Sequence, residues 1–306
     1  MSLAPSERWD LPHGQVWVRR SGPSRVAAPA AVLVHGLGGS SLNWVDLMAE
    51  LGKDVDLLAV DLPGFGLSPP PRDGDYSPAG HARVVAALIR SWQEHRGSSA
   101  PVHVFGNSLG GAVSLQLAGR HEDLVASLTL IAPALPRRLP SRGNVHLPVV
   151  AVPGLGESLA TRYGRAPAEQ RVQATLNACF ADPSAVSPDV RQAIIDEVVA
   201  RDRLPYADDA VLSSLRGLLA GFLDASADRP WALARRTRCP VLAIYGEGDI
   251  LVHPRAAQRA ARAFPDVEVV LLSDCGHVAQ MEHPQLVAGL WRESILDRTT
   301  GALASP

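Results

Sequence analysis

Six segments of this chain are apolar without alternation and stop at glycine, proline, aspartate, asparagine or histidine. They are "AAVLVHG" (30–36), "DVDLLAVDLPG" (54–64), "PVHVFGN" (101–107), "LVASLTLIAP" (124–133), "CPVLAIYGEGD" (239–249) and "VEVVLLSDCGH" (267–277). A strand with one wet face alternates polar and apolar residues. A strand covered on both faces does not, and that is the condition of a parallel sheet sandwiched between helices. Helical patterns lie between the runs. In 77–96, "SPAGHARVVAALIRSWQEHR", Val84, Val85, Ala87, Leu88 and Trp92 form a stripe. Ser77 is placed to cap that helix, with Pro78 at its first position. "PRAAQRAARAF" (254–264) and "HPQLVAGLWRESILDR" (283–298) also carry the helical period. Strands alternating with helices define a mostly parallel, doubly wound α/β sheet.

The alternation stops between about 135 and 230. That stretch contains helical patterns, such as "SPDVRQAIIDEVVARD" and "DDAVLSSLRGLLAGFLDA", and no strand pattern. The expected organisation is a core of residues 1–134 and 231–306 with a helical insertion at 135–230. Such an insertion is either a set of rim helices or a lid over the C-terminal ends of the strands, where open α/β sheets bind ligands. Residues 68–78, "SPPPRDGDYSP", read as an exposed loop.

Bulk composition narrows the partners. The 306 residues are 46% hydrophobic and 20% charged, with a formal net charge of -2. That balance suits a globular protein acting on a small molecule and gives no reason to expect nucleic acid or a stable membrane association. Homo-oligomerisation stays open. Three cysteines, Cys179, Cys239 and Cys275, fit neither a zinc site nor a disulfide framework, and a reducing cytoplasm is the expected setting. No bound metal or cofactor is expected.

The chemistry is carried by "FGNSLGGA" (105–112). A serine between two glycines arises by chance in roughly one chain in ten of this length, so its surroundings decide. Ser108 follows a buried-strand run and opens a helical pattern, the context of a sharp strand–turn–helix elbow. A serine hydroxyl needs a base, and the base needs an orienting carboxylate. His277, just past the last strand, is the best placed of ten histidines; His35, His81, His95, His103 and His121 read as packing or surface residues. Asp249, past the preceding strand, is the preferred carboxylate, with Glu247 its local rival. The glycine-rich "VHGLGGSS" (34–41) follows an early strand. It lacks the lysine of a P-loop and the spacing of a dinucleotide site. The backbone amides of Leu37 and Leu109 are the expected pair of oxyanion donors.

With these residues assembled, the chain resembles the α/β-hydrolase fold family over nearly its whole length, from "HGQVWVRRSG" to the final helix. The matching segments are "VHGLGG", "DLPGFGLS", "GNSLGG", "GEGD" and "GHVAQMEHP". The chain order Ser108, Asp249, His277 is that of the family. The resemblance implies a helical lid, and loop-fixing roles for Asp61, Ser68, Glu282 and Pro284. Serine at the nucleophile position disfavours the aspartate-dependent haloalkane dehalogenases and epoxide hydrolases of this fold. Within the family, the chain is similar to the meta-cleavage-product hydrolases in "GNS-x-GG", "CGH-x-AQ-x-EH" and the pair Asn43-Trp44. That subgroup has tryptophans flanking the "AQ", where this chain has Val278 and Met281, and a lid arginine, for which Arg191 lies in the right region. The resemblance thus implies Asn43, Trp44, Val278 and Arg191 as substrate contacts.

The expected activity is hydrolysis of a small or medium carboxylic ester through an acyl-enzyme. The alternative is C–C bond hydrolysis of a dienone acid. A non-catalytic small-molecule receptor on the same fold is a third reading, and an interfacial lipase, with "LLAGFL" (218–223) turned to lipid, a fourth.

Overall fold

The computed structural model describes residues 5–12, 14–23, 25–137 and 143–297. Residues 138–142 of the expected insertion, and 1–4 and 298–306 of the expected core, lie outside the described residues. Eight strands form one sheet: β1 (Ser6–Leu11), β2 (Gly14–Ser21), β3 (Ala30–Val34), β4 (Asp56–Asp61), β5 (Val102–Asn107), β6 (Val125–Ile131), β7 (Val241–Gly246) and β8 (Val267–Leu272). Their spatial order is β1-β2-β4-β3-β5-β6-β7-β8. The six strands from β3 to β8 are mutually parallel, as the unbroken apolar runs require. β2 joins antiparallel to β4, and β1 antiparallel to β2.

The two faces of the sheet bury alternate residues of the same run. Val32, Val34, Val104 and Val60 face one core, shared with helices Pro78–Arg96, Leu109–Arg120 and Ala256–Ala263. Ala31, Leu33, Phe105 and Ala59 face the other, shared with helices Val45–Leu51 and Pro284–Trp291. Ser77 accepts a hydrogen bond from the Gly80 amide at 3.0 Å, so the expected cap is formed. The loop at 68–78 departs from its exposed reading. Ser68 and Tyr76 are buried, because Ser68 Oγ donates to Asp61 O at 2.7 Å and accepts from Trp17 N at 2.8 Å, sealing β2 against β4.

The order of the strands fixes where a ligand can enter. The chain passes from β3 outward to β4, then returns across β3 to lay down β5. The loops leaving β3 and β5 therefore diverge to opposite faces, which opens a crevice at the carboxyl ends of those two strands. Between β6 and β7, the described residues from 143 to 223 contain helices and no strand. The helices are Leu147–Val150, Leu155–Gly164, Ala168–Cys179, Pro188–Arg201 and Ala207–Leu223. The third and fourth of these build a small core of their own with Val278 and Met281, the residues just past the last strand.

Candidate active site

Ser108 stands at the end of β5 in a conformation few residues accept. Its φ is 55° and its ψ -116°, the geometry of the first central residue of a type II′ turn, which glycine normally supplies. The flanking glycines make that turn possible. A Cβ on Gly106 would lie 2.4 Å from Ser114 Oγ, and one on Gly110 2.0 Å from Val34 O. The elbow is held by its backbone: Ser108 N donates to Ile131 O at 3.1 Å, and Ser108 O accepts from Ala134 N at 2.9 Å. The side chain is left partly exposed at the N-terminus of helix Leu109–Arg120.

Asp249 and His277 meet past the ends of β7 and β8. His277 Nδ1 lies 2.8 Å from Asp249 Oδ2. The other carboxylate oxygen accepts the amides of Leu251 at 2.7 Å and Val252 at 2.8 Å. Both side chains are buried. A carboxylate can only accept, so Nδ1 carries a proton, and in the neutral ring the lone pair is on Nε2. Glu247 is exposed. The choice between the two acids is therefore made by the turn: the amides of Leu251 and Val252 hold the Asp249 carboxylate inward, and Glu247 faces solvent.

Several neighbours set the height of the His277 turn. Asn107, which precedes Ser108, donates from Nδ2 to His277 O at 2.9 Å and to Ile131 O at 3.1 Å. His277 N donates to Cys179 O of the insertion at 2.6 Å. Glu282 accepts the amides of Gly276 at 2.8 Å and Ala181 at 2.7 Å, which ties the same turn to the insertion. Sequence reasoning singled out none of Asn107, Cys179 or Ala181. A backbone carbonyl has no sequence signature, and an asparagine beside a nucleophile reads as a spacer.

The 36–41 turn after β3 faces Ser108. A Cβ on Gly36 would lie 3.1 Å from Ser108 Cβ, a tight contact, so the two loops approach closely here. The Gly36 carbonyl accepts from His35 Nδ1 at 2.7 Å and from Gly39 N at 3.1 Å. His35 Nε2 in turn accepts the Leu62 amide at 2.9 Å, which fixes the tautomer. Burial holds the His35 pKa down. Because a trans peptide points its C=O and N–H in opposite directions, pinning Gly36 O aims the Leu37 N–H the other way. Leu109 is the first residue of its helix, so its N–H has no intrahelical acceptor.

The residues implied as substrate contacts fare differently. Trp44 is fully buried, edge-on to Phe105 at 6.5 Å, within the core that also holds Trp291. That overturns its reading as a substrate contact, because no solvent-sized space reaches the ring. Val278 is 7% exposed and packs with the insertion helices. Asn43 is partly buried and accepts the Ser40 amide at 3.1 Å. Arg191 donates to Gln173 of the neighbouring insertion helix. Cys275 is fully buried, and its burial and the nearby Glu282 push its thiol pKa up. A thiol held neutral is a poor nucleophile. Within "LLAGFL", Leu218 is buried and Leu223 is exposed.

A doubly wound sheet with a strained serine at its switch point and a carboxylate-bound histidine beyond its last strand has the plan of an α/β hydrolase. The family model described as the alpha/beta hydrolase fold matches residues 29–284, and the chain belongs to that family. It is similar to the dihydrolipoyllysine-residue acetyltransferase component of the acetoin cleaving system of Pseudomonas putida, with 31% identity over 84% of this chain and 60% of that one. The chain spans 60% of the length of the Cupriavidus necator counterpart as well. It is also similar to the pimeloyl-acyl-carrier-protein methyl ester esterase of Neisseria meningitidis, with 29% identity over 92% of this chain and 82% of that one. Among solved structures, the 2-hydroxy-6-oxo-6-phenylhexa-2,4-dienoate hydrolase of Rhodococcus sp. strain RHA1 superposes with a TM-score of 0.73. It is 21% identical and covers 95% of this chain and 98% of its own, a likeness of fold. No helix among the described residues is long and apolar enough to cross a membrane.

Proposed function

We propose that this protein is a serine hydrolase of small or medium carboxylic esters, with Ser108, His277 and Asp249 as its catalytic triad. The observation that carries the reading is the backbone of Ser108. A non-glycine residue in that conformation stores about 1–3 kcal/mol of strain, and such strain persists where function requires it. Ser108 Oγ attacks the ester carbonyl while His277 Nε2 takes its proton. The Leu37 and Leu109 amides hold the oxyanion of the tetrahedral intermediate. His277 then delivers the proton to the alkoxide leaving group, and an acyl-enzyme remains on Ser108. Water attacks the acyl-enzyme with His277 again as base, which frees the acid and restores the serine. Asp249 keeps the imidazole in the productive tautomer and stabilises its cationic form. The helical insertion serves as the lid.

A dienone acid brings a carboxylate into a desolvated site, which costs several kcal/mol unless a cation receives it. A neutral ester needs only an apolar pocket, so the ester reading makes no demand on Arg191, which donates to Gln173 of the neighbouring insertion helix.

The test is a panel of p-nitrophenyl esters of graded acyl length beside a phenyl-substituted dienone acid. The expected order in kcat/KM places a short ester first, and a dienone acid ahead by about tenfold would replace this reading with the C–C one. Ser108→Ala should abolish turnover. Asp249→Asn should lower kcat by roughly 10³–10⁴-fold by favouring the wrong tautomer, and Glu247→Gln should leave it within about twofold.

A further inference from the structure

The turn that carries Leu37 is supported unevenly. Its inner end is wedged: Gly36 sits against Ser108, and its carbonyl is held by His35. At Gly38 the turn is open: its φ is +74°, and a Cβ there would meet no atom within 4 Å, whereas the next residue, Gly39, is packed against Asn43. The open point is where hydrogen bonds from the insertion reach the turn. Arg201 Nη1 donates to Gly38 O at 3.0 Å. Ser40 Oγ donates to Glu197 Oε2 at 2.6 Å while accepting from Leu42 N at 3.2 Å. Below, the Ser41 amide donates to Asp61 Oδ1 at 2.7 Å.

Glu197 and Arg201 are one helical turn apart on Pro188–Arg201, so both reach from the same face of that helix. The helix is set by its own cap, with Ser187 accepting the Val190 amide at 3.3 Å and Pro188 at its first position. Val190 and Val198 anchor it in the insertion core beside Val278 and Met281.

We propose that Glu197 and Arg201 are positioning residues, which hold the 36–41 turn from the insertion so that the Leu37 N–H faces the reacting oxygen. The inference rests on the oxyanion role given to Leu37 above. It makes the insertion part of the catalytic machinery as well as a cover. If the helix lifts, the same motion that opens the site releases Gly38 O and Ser40. The oxyanion donor is then correctly placed only over a closed site. Glu197 is held in an enclosure that burial makes costly for its charge. Its pKa is pushed up to about 7, the Ser40 hydrogen bond opposes that rise, Asp61 adds to it, and Arg201 and Arg19 oppose it. Displaced ionisation of this kind is found where a carboxyl serves a site.

Glu197→Ala, Arg201→Ala and Ser40→Ala, with Glu197→Gln as the conservative variant, test the proposal at pH 8 on the best ester of the panel. Each alanine variant should lower kcat by roughly 10–100-fold and change KM less than about threefold. A trifluoromethyl ketone that adds to Ser108 should bind more weakly in proportion to the lost kcat/KM. The Ser40→Ala and Glu197→Ala losses should not add in the double variant. Glu197→Gln keeps an acceptor for Ser40 and should retain kcat within about threefold. Ser40→Ala is a small change on the core side, so it reads the contact even where an insertion variant folds poorly. Alanine variants with kcat within twofold of wild type overturn the proposal. So does a loss expressed in KM alone, or a Glu197→Gln as impaired as Glu197→Ala. If Ser108→Ala itself keeps turnover, the hydrolase reading fails first. If Ser108→Ala is dead and the four variants are active, the clamp alone is wrong.

Discussion

Ser108 combines two demands that conflict. The proposed reaction needs its hydroxyl, and its backbone, with φ 55° and ψ -116°, suits glycine. Ser108→Gly should therefore stabilise the protein while removing activity, and Ser108→Ala should remove activity without that gain. Relief of strain is worth about 1–3 kcal/mol. The greater freedom of glycine in the unfolded chain takes back about 0.5–1 kcal/mol. The glycine variant should thus unfold at higher urea than the alanine variant by about 1 kcal/mol, with an unchanged denaturant slope. Equal midpoints would mean that the elbow is not strained. The proposed triad residues Ser108, Asp249 and His277 stand out in the sequence because each follows an apolar run that ends a strand. Their supports do not. Asn107, the Cys179 carbonyl and the Glu197–Arg201 pair act through contacts between segments far apart in the chain, which no local pattern records. Trp44 was misread for a related reason. A resemblance of letters placed it at the site, and the fold turns its ring into the core.

At the scale of elements, the parallel strands were legible, β8 at one edge included, and the antiparallel edge was not. β4, β5 and β7 are buried along their whole length, so their residues carry one unbroken signal. β1 is mostly exposed, and β2 alternates through "VWV" before ending in two arginines. The second of those arginines has a structural partner. Asp56 opens β4 fully buried, and Arg20 donates to it from Nε at 3.3 Å and from Nη2 at 3.1 Å. Arg96, at the end of helix Pro78–Arg96, donates to the same carboxylate and to Ala28 O at 2.8 Å. One acid thus joins the antiparallel edge, the start of β4 and the end of a helix. Its removal leaves two cations without their counterion. Asp56→Ala should cost about 3–5 kcal/mol, measured by urea unfolding. The cluster sits at the amino end of β4, opposite the edge that carries Ser108, so kcat of the folded fraction should stay within about twofold of wild type. A deep loss of kcat would show that the amino edge governs the site.

At the scale of the whole molecule, His35, His81 and His103 are buried where their charged form is disfavoured, and this sets the response to acid. Burial lowers His81 to about 3 and His103 to about 4, and it lowers His35 as well. His81 contacts Ser214 of the insertion at 3.2 Å, and His103 contacts Ser127 of β6 at 2.8 Å beside the edge of Trp291. A base with a depressed folded pKa binds fewer protons folded than unfolded, so its stabilising contribution is present above pH 6.5 and is lost as the pH falls toward the folded value. For His103 that loss between pH 8 and pH 5 is on the order of 2 kcal/mol. Glu197 works in the opposite sense. Its raised pKa makes the folded state the stronger proton binder, so its contribution is present below its ordinary value of 4.5 and is lost as the pH rises through about 7. Three histidines outweigh one carboxyl over this window, so the protein should lose stability as the pH falls from 8 to 5. His103→Gln should flatten that slope, whatever it does to stability at pH 8. Glu197→Gln should steepen it, because the opposing contribution is gone. Urea midpoints at pH 8, 6.5 and 5 for the three proteins provide the measurement. A His103→Gln slope equal to that of wild type would mean that acid enters through other groups, and a Glu197→Gln slope no steeper than wild type would mean that the enclosure at Ser40 does not hold its proton.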